Sequence, residues 1–423
     1  MLGHDDGGSE DFSRRDVLKG IGAAGAATAV GASATGSASA AIGDSAVYQY
    51  YHTDWSTVKS DMSAIADQGY DAVQVPPAQE SYLDRSDQDW NYHPPMGYQP
   101  VDHRNFNSVF GTEDQYQYLI WEAHNHGLDV IADAVVNHMA AAPYDTFPWF
   151  GYDDFHHNGA IDYSDPWSVE NGDLVGLKDL KQESSYVRGQ LKRYIEKYAN
   201  LGVDGIRWDA AKHVPEWFFR DYANVWANNL GLYTVGEVLQ GDTGYCQGYA
   251  DTGMSVTDYP LYYAMKDAFK PYGDMRAVEG AGLVNQDPYH AMTFVSNHDS
   301  GPPELEKLAY AYILTYEGYP RVYNNRIGIH DGDIRNLLWI RNNLASGQTF
   351  TRHVDQNLYI YERYNNLLVG LNKSGSWRGK WVPTSWRDQA LNEYTGHAEN
   401  EYVNGDGWVY ISIPPESWVC YAV

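Results

Sequence analysis

The sequence predicts a (β/α)8 barrel with an inserted domain after its third strand and a C-terminal antiparallel β domain. Eight strand-like runs, most followed by a helix-like run, span roughly 300 residues, the size of such a barrel. About 45 residues without helical periodicity separate the third strand from its helix, far more than an ordinary βα loop. After about residue 346 the pattern changes to short alternating strands with turn residues between them.

Residues 45–50 read as the first strand and 54–68 as an amphipathic helix. Residues 71–75 form a second strand, stopped by Pro76 and Pro77. Thr112 caps a helix over 112–126 that Gly127 ends, and 129–136 form the third strand. The insert holds Trp149, Tyr152, His156, His157, Asp162 and Asp173. Its aromatics and glycine turns favour a subdomain over a disordered loop. A helix over 184–201 stops at Gly202, and strands follow at 205–208, 233–235, 255–258, 291–295 and 320–323. Helices over 304–316 and 331–345 close the series, and later strands fall at 358–363, 366–372, 408–413 and 418–423. The barrel is thus expected over 41–138 and 180–345, the insert over 139–179 and a C-terminal β-sandwich over 346–423.

Residues 1–40 read as a signal rather than fold. Arg14-Arg15 precedes a mild Gly/Ala run and then Ala38-Ser39-Ala40, the layout of a twin-arginine signal peptide with its cleavage site. The run is too weakly apolar for a transmembrane anchor, so the expected destination is outside the cell. A formal charge of −27 repels nucleic acid and anionic membranes, and neither is expected as a partner. Such a surface suits solubility in very high salt, where long-range repulsion is screened. With 36 Tyr, 14 Trp and 11 Phe the chain is no acidic disordered protein, and exposed aromatics suit stacking on sugar rings. Cys246 and Cys420 are compatible with two buried thiols or one bridge.

Chemistry gathers where the strands end. Asp133 to His138 closes the third strand, Arg207-Trp208-Asp209 the fourth, Gly236-Glu237 the fifth and Asn297-His298-Asp299 the seventh. Asp209 and Glu237 are 28 residues apart, about one βα unit, and Glu237 and Asp299 are 62 apart, about two. An isolated Arg-x-Asp reads as a salt bridge, but three carboxylates at unit spacing converge on one barrel rim. Retaining glycoside hydrolysis needs such a set: a nucleophile, and about 5–5.5 Å away an acid that later serves as base. Repulsion raises the proton affinity of at least one member. Asp, Glu and His also ligate metals, so a metal site is the competing reading.

The segments DAVVNH (133–138), GIRWDAAKH (205–213), GEV (236–238) and FVSNHD (294–299) resemble the conserved segments of the α-amylase superfamily of glycoside hydrolases. LVGLKDL (174–180), VPPAQES (75–81) and YQPVD (98–102) add to the resemblance, which covers nearly all of the mature chain in the family's order. It implies a secreted α-amylase of haloarchaeal type, endo-acting on α-1,4-glucosidic bonds. Asp209 matches the nucleophile, Glu237 the acid/base and Asp299 the transition-state stabiliser. Tyr98, His138, Arg207, Lys212 and His298 match substrate-binding positions.

The resemblance also implies calcium between barrel and insert, held by oxygen ligands as a hard cation requires. Asn137 and Asp179 match side-chain ligands, His213 a carbonyl ligand, and Glu170 falls where another carbonyl lies. Chloride-activated relatives hold the anion with two arginines and an asparagine, which Arg207, Arg321 and Asn297 match; alternatively Arg321 makes a structural ion pair. His93-Pro94-Pro95-Met96 departs from the paired tryptophans of many relatives, leaving sugar stacking there to Trp90 or Tyr92. The expected partner is an α-glucan, and the chain is expected as a monomer. The rival activities are a maltogenic hydrolase or transglycosylase on the same scaffold, or a non-catalytic glucan-binding protein.

Overall fold

Alternate residues of a barrel strand point inward, so each strand stacks its odd or even side chains in layers along the axis. In the computed structural model, which describes residues 44–87 and 94–423, the barrel strands are β1 (Val47–Gln49), β2 (Ala72–Val75), β3 (Asp129–Ala134), β4 (Gly205–Trp208), β5 (Tyr233–Gly236), β6 (Ser255–Thr257), β7 (Ala291–Phe294) and β8 (Tyr319–Tyr323). They close in parallel in the order β1-β8-β7-β6-β5-β4-β3-β2. The expected signal peptide over 1–40, residues 41–43, and Trp90, Tyr92 and His93 lie outside the described residues.

The lowest inward layer is apolar and includes Val47, Ala72, Ile131, Tyr233, Met292 and Tyr319. Two residues on, the inward positions become polar: Gln74 on β2, Asp133 on β3 and Arg321 on β8 join Arg207 of β4, all four at most 2% exposed. They satisfy one another. Gln74 Nε2 donates to Asp133 Oδ1 at 2.8 Å and Arg321 Nη1 donates to Gln74 Oε1 at 2.9 Å. Such a layer is tolerated only because its members are bonded, and it forms the floor on which the rim stands.

The helices α1 (Trp55–Gln68), α2 (Glu113–Asn125), α3 (Ser185–Leu201), α4 (Thr243–Ala250), α5 (Tyr259–Ala268), α6 (Glu306–Thr315) and α7 (Gly332–Leu344) cover much of the outside. Thr112 and Gln115 form a capping box at α2, and Ser184 caps α3, which ends at Gly202 in a left-handed turn. The helical segment after β4 is broken: Glu216–Phe218 and Asn224–Asn229 flank a π-helical turn at Phe219–Ala223. Arg341 of α7 fastens the barrel's closing seam. Its guanidinium donates to Ser45 O just before β1, and to Tyr316 O and Gly318 O just before β8.

The insert between β3 and α3 is ordered around a two-residue antiparallel pairing of His138–Met139 with Lys178–Asp179. It contains a helix the sequence pattern does not reveal, Pro166–Asn171, capped by Asp165. Six residues are too few for a periodic signal.

Beyond α7 come β9 (Thr349–Val354), β10 (Leu358–Arg363), β11 (Leu367–Asn372), β12 (Arg378–Pro383), β13 (Gln389–Glu393), β14 (Glu401–Val403), β15 (Trp408–Ile413) and β16 (Ser417–Ala422). A six-stranded sheet, β9-β10-β11-β16-β13-β14, faces the pair β12-β15. Ile360, Leu368 and Val419 of the sheet share one core with Val382, Val409 and Ile411 of the pair. This domain locks onto the barrel through α6, where Thr315 Oγ1 lies 2.6 Å from Tyr361 Oη and Arg363 donates to Thr315 O. Cys246 and Cys420 are both buried and free, so no bridge joins them.

Candidate active site

The strand ends lift the next inward positions above the polar floor. Asp209 follows β4 and Glu237 follows β5, 6% and 8% exposed. Both face one guanidinium. Arg207 Nη1 lies 2.7 Å from Asp209 Oδ1 and 3.0 Å from Asp133 Oδ2, and Nη2 lies 2.5 Å from Glu237 Oε1. Burial alone would make Arg207 easier to deprotonate, but Asp133, Glu237 and Asp209 together hold it firmly charged. One cation against three buried carboxylates leaves the cluster short of positive charge. Burial pushes Asp209 up to about 8; Arg207 offsets this only in part, and the charges of Glu237, Asp133 and Asp299 raise it further. For Glu237 burial also raises the pKa, but Arg207, His298, the Ala210 N–H and Arg321 together bring it below the ordinary value.

Asp299 stands on the opposite side, after β7, with 38% of its side chain exposed and His298 Nε2 3.1 Å from its Oδ2. Its backbone N–H donates to Asn297 Oδ1 at 2.9 Å. Tyr98 closes the site from the loop after β2, its hydroxyl donating to Asp133 Oδ2 at 2.5 Å. His138 Nε2 meets Tyr98 O at 3.0 Å, and burial lowers its pKa to about 4, so the ring is neutral. Lys212 reaches along the rim and donates to Leu239 O at 3.0 Å, near the exposed Tyr163 ring of the insert.

Asn137 is fully buried beside the insert. With its amide oxygen turned inward, three oxygens meet: Asn137 Oδ1 lies 2.8 Å from His213 O and 3.3 Å from Asp179 Oδ1. Three acceptors without a donor repel, and either a turned amide N–H or a cation relieves them. His213's ring Nδ1 lies 2.9 Å from the carbonyl of Val169, and the neighbouring Glu170 side chain is pushed up by burial and by Glu216. Among the described residues no three His, Cys, Asp or Glu side chains cluster as metal ligands; the oxygen set at Asn137 is mostly amide and carbonyl.

Arg321 has no carboxylate at ion-pair distance among the described residues, so its expected alternative as half of a structural salt bridge is not what the fold builds. Its Nε and that of Arg207 are buried donors without a partner. Asn297 Nδ2 donates to Tyr259 Oη nearby.

Sequence reasoning passed over Asp133 and Gln74 as site members and missed Tyr51 and Tyr259. The signal was available for Asp133: a charged residue two positions after Ile131 on an apolar strand must point into the barrel. Tyr51 and Tyr259 look like any aromatic in a Tyr-rich chain.

Fold and site together define a parallel barrel that gathers carboxylates around one arginine at its C-terminal rim. Residues 33–324 match the family described as alpha amylase, catalytic domain, and 367–422 match alpha-amylase C-terminal. The chain belongs to the α-amylase family. Residues 11–31 match the twin-arginine translocation signal, so the protein is exported by that route. The chain is similar to the beta/alpha-amylase of Paenibacillus polymyxa, 29% identical over 81% of this chain and 31% of that protein. It is also similar to the alpha-amylase of Saccharomycopsis fibuligera, 30% identical over 65% of this chain and 60% of that protein. It thus spans under two thirds of the length of both. The solved alpha-amylase of Geobacillus thermoleovorans, complexed with acarbose, shares the fold with a TM-score of 0.77 at 21% identity, over 89% of this chain and 98% of that one. The gamma-CGTase of an alkalophilic Bacillus clarkii shares it too, with a TM-score of 0.77 at 21% identity, over 89% and 70%.

Proposed function

We propose that the chain hydrolyses internal α-1,4-glucosidic bonds of starch and related glucans with retention of configuration. The observation that carries this is the single guanidinium of Arg207 holding Asp209 and Glu237 side by side. Glu237 donates its proton to the glycosidic oxygen while Asp209 attacks the anomeric carbon, giving a glycosyl–enzyme. Glu237, now a base, takes a proton from water, which displaces Asp209. Asp299, His138, His298 and Tyr98 hold the sugar at the cleavage point, and Lys212 and His213 line the leaving-group side.

Calcium fits the oxygens around Asn137, with Asp179, the His213 carbonyl and the Glu170 carbonyl as further ligands. Bound there it would supply a rigid electrostatic tie between barrel and insert, fixing the loop that carries His138. Chloride fits between Arg207, Arg321 and Asn297, where two buried guanidinium N–H groups lack partners. An anion there would weaken the hold of both arginines on Glu237 and favour its protonated form. The charge of −27 supports a protein working in concentrated salt.

Starch and cyclodextrin digestion with product sizing tests the reading. Wild type should release a maltose series from starch, and Glu237→Gln should lower kcat by about 10²–10⁴. Unchanged hydrolysis in that variant would remove Glu237 from the mechanism. Cyclodextrins or elongated glucans as main products would favour the transglycosylase reading instead.

A further inference from the structure

Adjacent residues of an extended strand point to opposite faces, yet the rings of Tyr51 and His52 lie face to face. Their centroids are 3.7 Å apart and their planes 16° from parallel. The cause is the backbone: His52 has φ +52°, a left-handed conformation uncommon outside glycine and held only where surroundings enforce it. It folds the chain back just beyond β1, so both rings project over the site. Tyr51 in turn stacks on His298, at 4.5 Å and 13°. Among the described residues three parallel rings, His52, Tyr51 and His298, form a column that ends on Asp299.

The column is anchored at His52. The Met96 backbone N–H donates to His52 Nε2 at 2.9 Å, so His52 keeps that nitrogen unprotonated. Met96 is fully buried and lies two residues before Tyr98, whose ring is 5.3 Å from that of His298. His52 therefore ties together two walls of one subsite: the loop carrying Tyr98, and the His298–Asp299 pair. His298 Nδ1 is buried without a partner, so nothing on that edge fixes the ring's rotation and the stack has to do so.

We propose that His52 is a positioning residue for the cleavage subsite, acting through Tyr51 on His298 and Asp299. This rests on the glycosidase reading above. Because Asp299 and His298 serve the transition state, a loosened column lowers kcat more than it raises KM.

The test compares His52→Ala, His52→Asn and His52→Phe on maltoheptaose, with kcat, KM and Tm measured for each. Asparagine accepts the left-handed backbone and offers an oxygen to Met96 N–H but has no ring face; phenylalanine keeps a ring face and offers no acceptor. The expected result is a kcat loss of about 10- to 100-fold for alanine and asparagine with KM within about twofold, and recovery of most of that loss by phenylalanine. Wild-type kcat in the asparagine variant overturns the proposal, as does a loss confined to KM. Should the alanine variant fail to fold, asparagine against phenylalanine decides. Wild-type enzyme inert on maltoheptaose and starch alike would instead overturn the glycosidase reading.

Discussion

Arg207 Nη2 stands 2.5 Å from Glu237 Oε1, while Nη1 of the same guanidinium holds Asp209 at 2.7 Å. The contact to Glu237 is an ion pair without good hydrogen-bond alignment, since Oε1 accepts no aligned bond. The two carboxylates therefore titrate as a pair around one fixed charge.

A pH profile follows. On the proposed mechanism, hydrolysis needs one proton on the pair, carried by Glu237 when a glucan is bound. With Asp209 raised to about 8, the pair loses its last proton there. Raising pH through about 8 removes the acid, so kcat/KM for an uncharged oligosaccharide should fall about tenfold per unit above it. A rate flat to about pH 10 would contradict the pairing.

Anion dependence should reside in Arg321. With the wild type dialysed against a chloride-free buffer, added chloride should raise kcat. Arg321→Gln, which leaves Gln74 a bonding partner, should respond to chloride no more than to nitrate or acetate. Equal stimulation of both proteins would place any anion elsewhere.

Calcium should stabilise through Asn137. At a calcium concentration of ~100 Kd the native state gains about 2.7 kcal/mol, visible as a rise in Tm. Asn137→Ala should abolish that rise while a chelator lowers the wild-type Tm to match. A chelator without effect on wild-type Tm would argue against the site.

Asn224 supports β4, the strand that leads to Asp209, from behind. Its Oδ1 accepts from Trp208 Nε1 at 2.9 Å, and its Nδ2 donates to Thr252. Asn224→Ala leaves the buried indole N–H without a partner, and unfolding should show a loss of about 1–3 kcal/mol. A variant as stable as wild type would mean the indole finds another acceptor.

What the sequence made legible was what repeats. The alternation of strand and helix runs, the cap at Thr112 and the unit spacing of Asp209, Glu237 and Asp299 are regular, and each stands in the fold where that regularity sets it. The exposed strands β9 and β12 to β14 were not legible, because Arg378, Lys380 and Glu401 give them no apolar face long enough to register. Nor was the column at His52. Stacking between neighbours in sequence depends on one φ angle, which no residue pattern encodes. Asp133 lies between these cases: its inward direction could be read, but its bonds to Arg207 and Tyr98 required the closed barrel.

Arg341 reaches back 296 residues to Ser45. The first barrel strand therefore waits for nearly the whole barrel before its edge is covered, and the clasp that secures it forms only once α7 is made. Until then β1 offers an open edge to other chains. Contacts this distant in sequence close slowly. A threading route would carry the chain out before that clasp could form, whereas twin-arginine export moves a finished protein. The seam thus gives a physical reason for the export signal at the other end of the chain: the cytoplasm is where the barrel has time to shut.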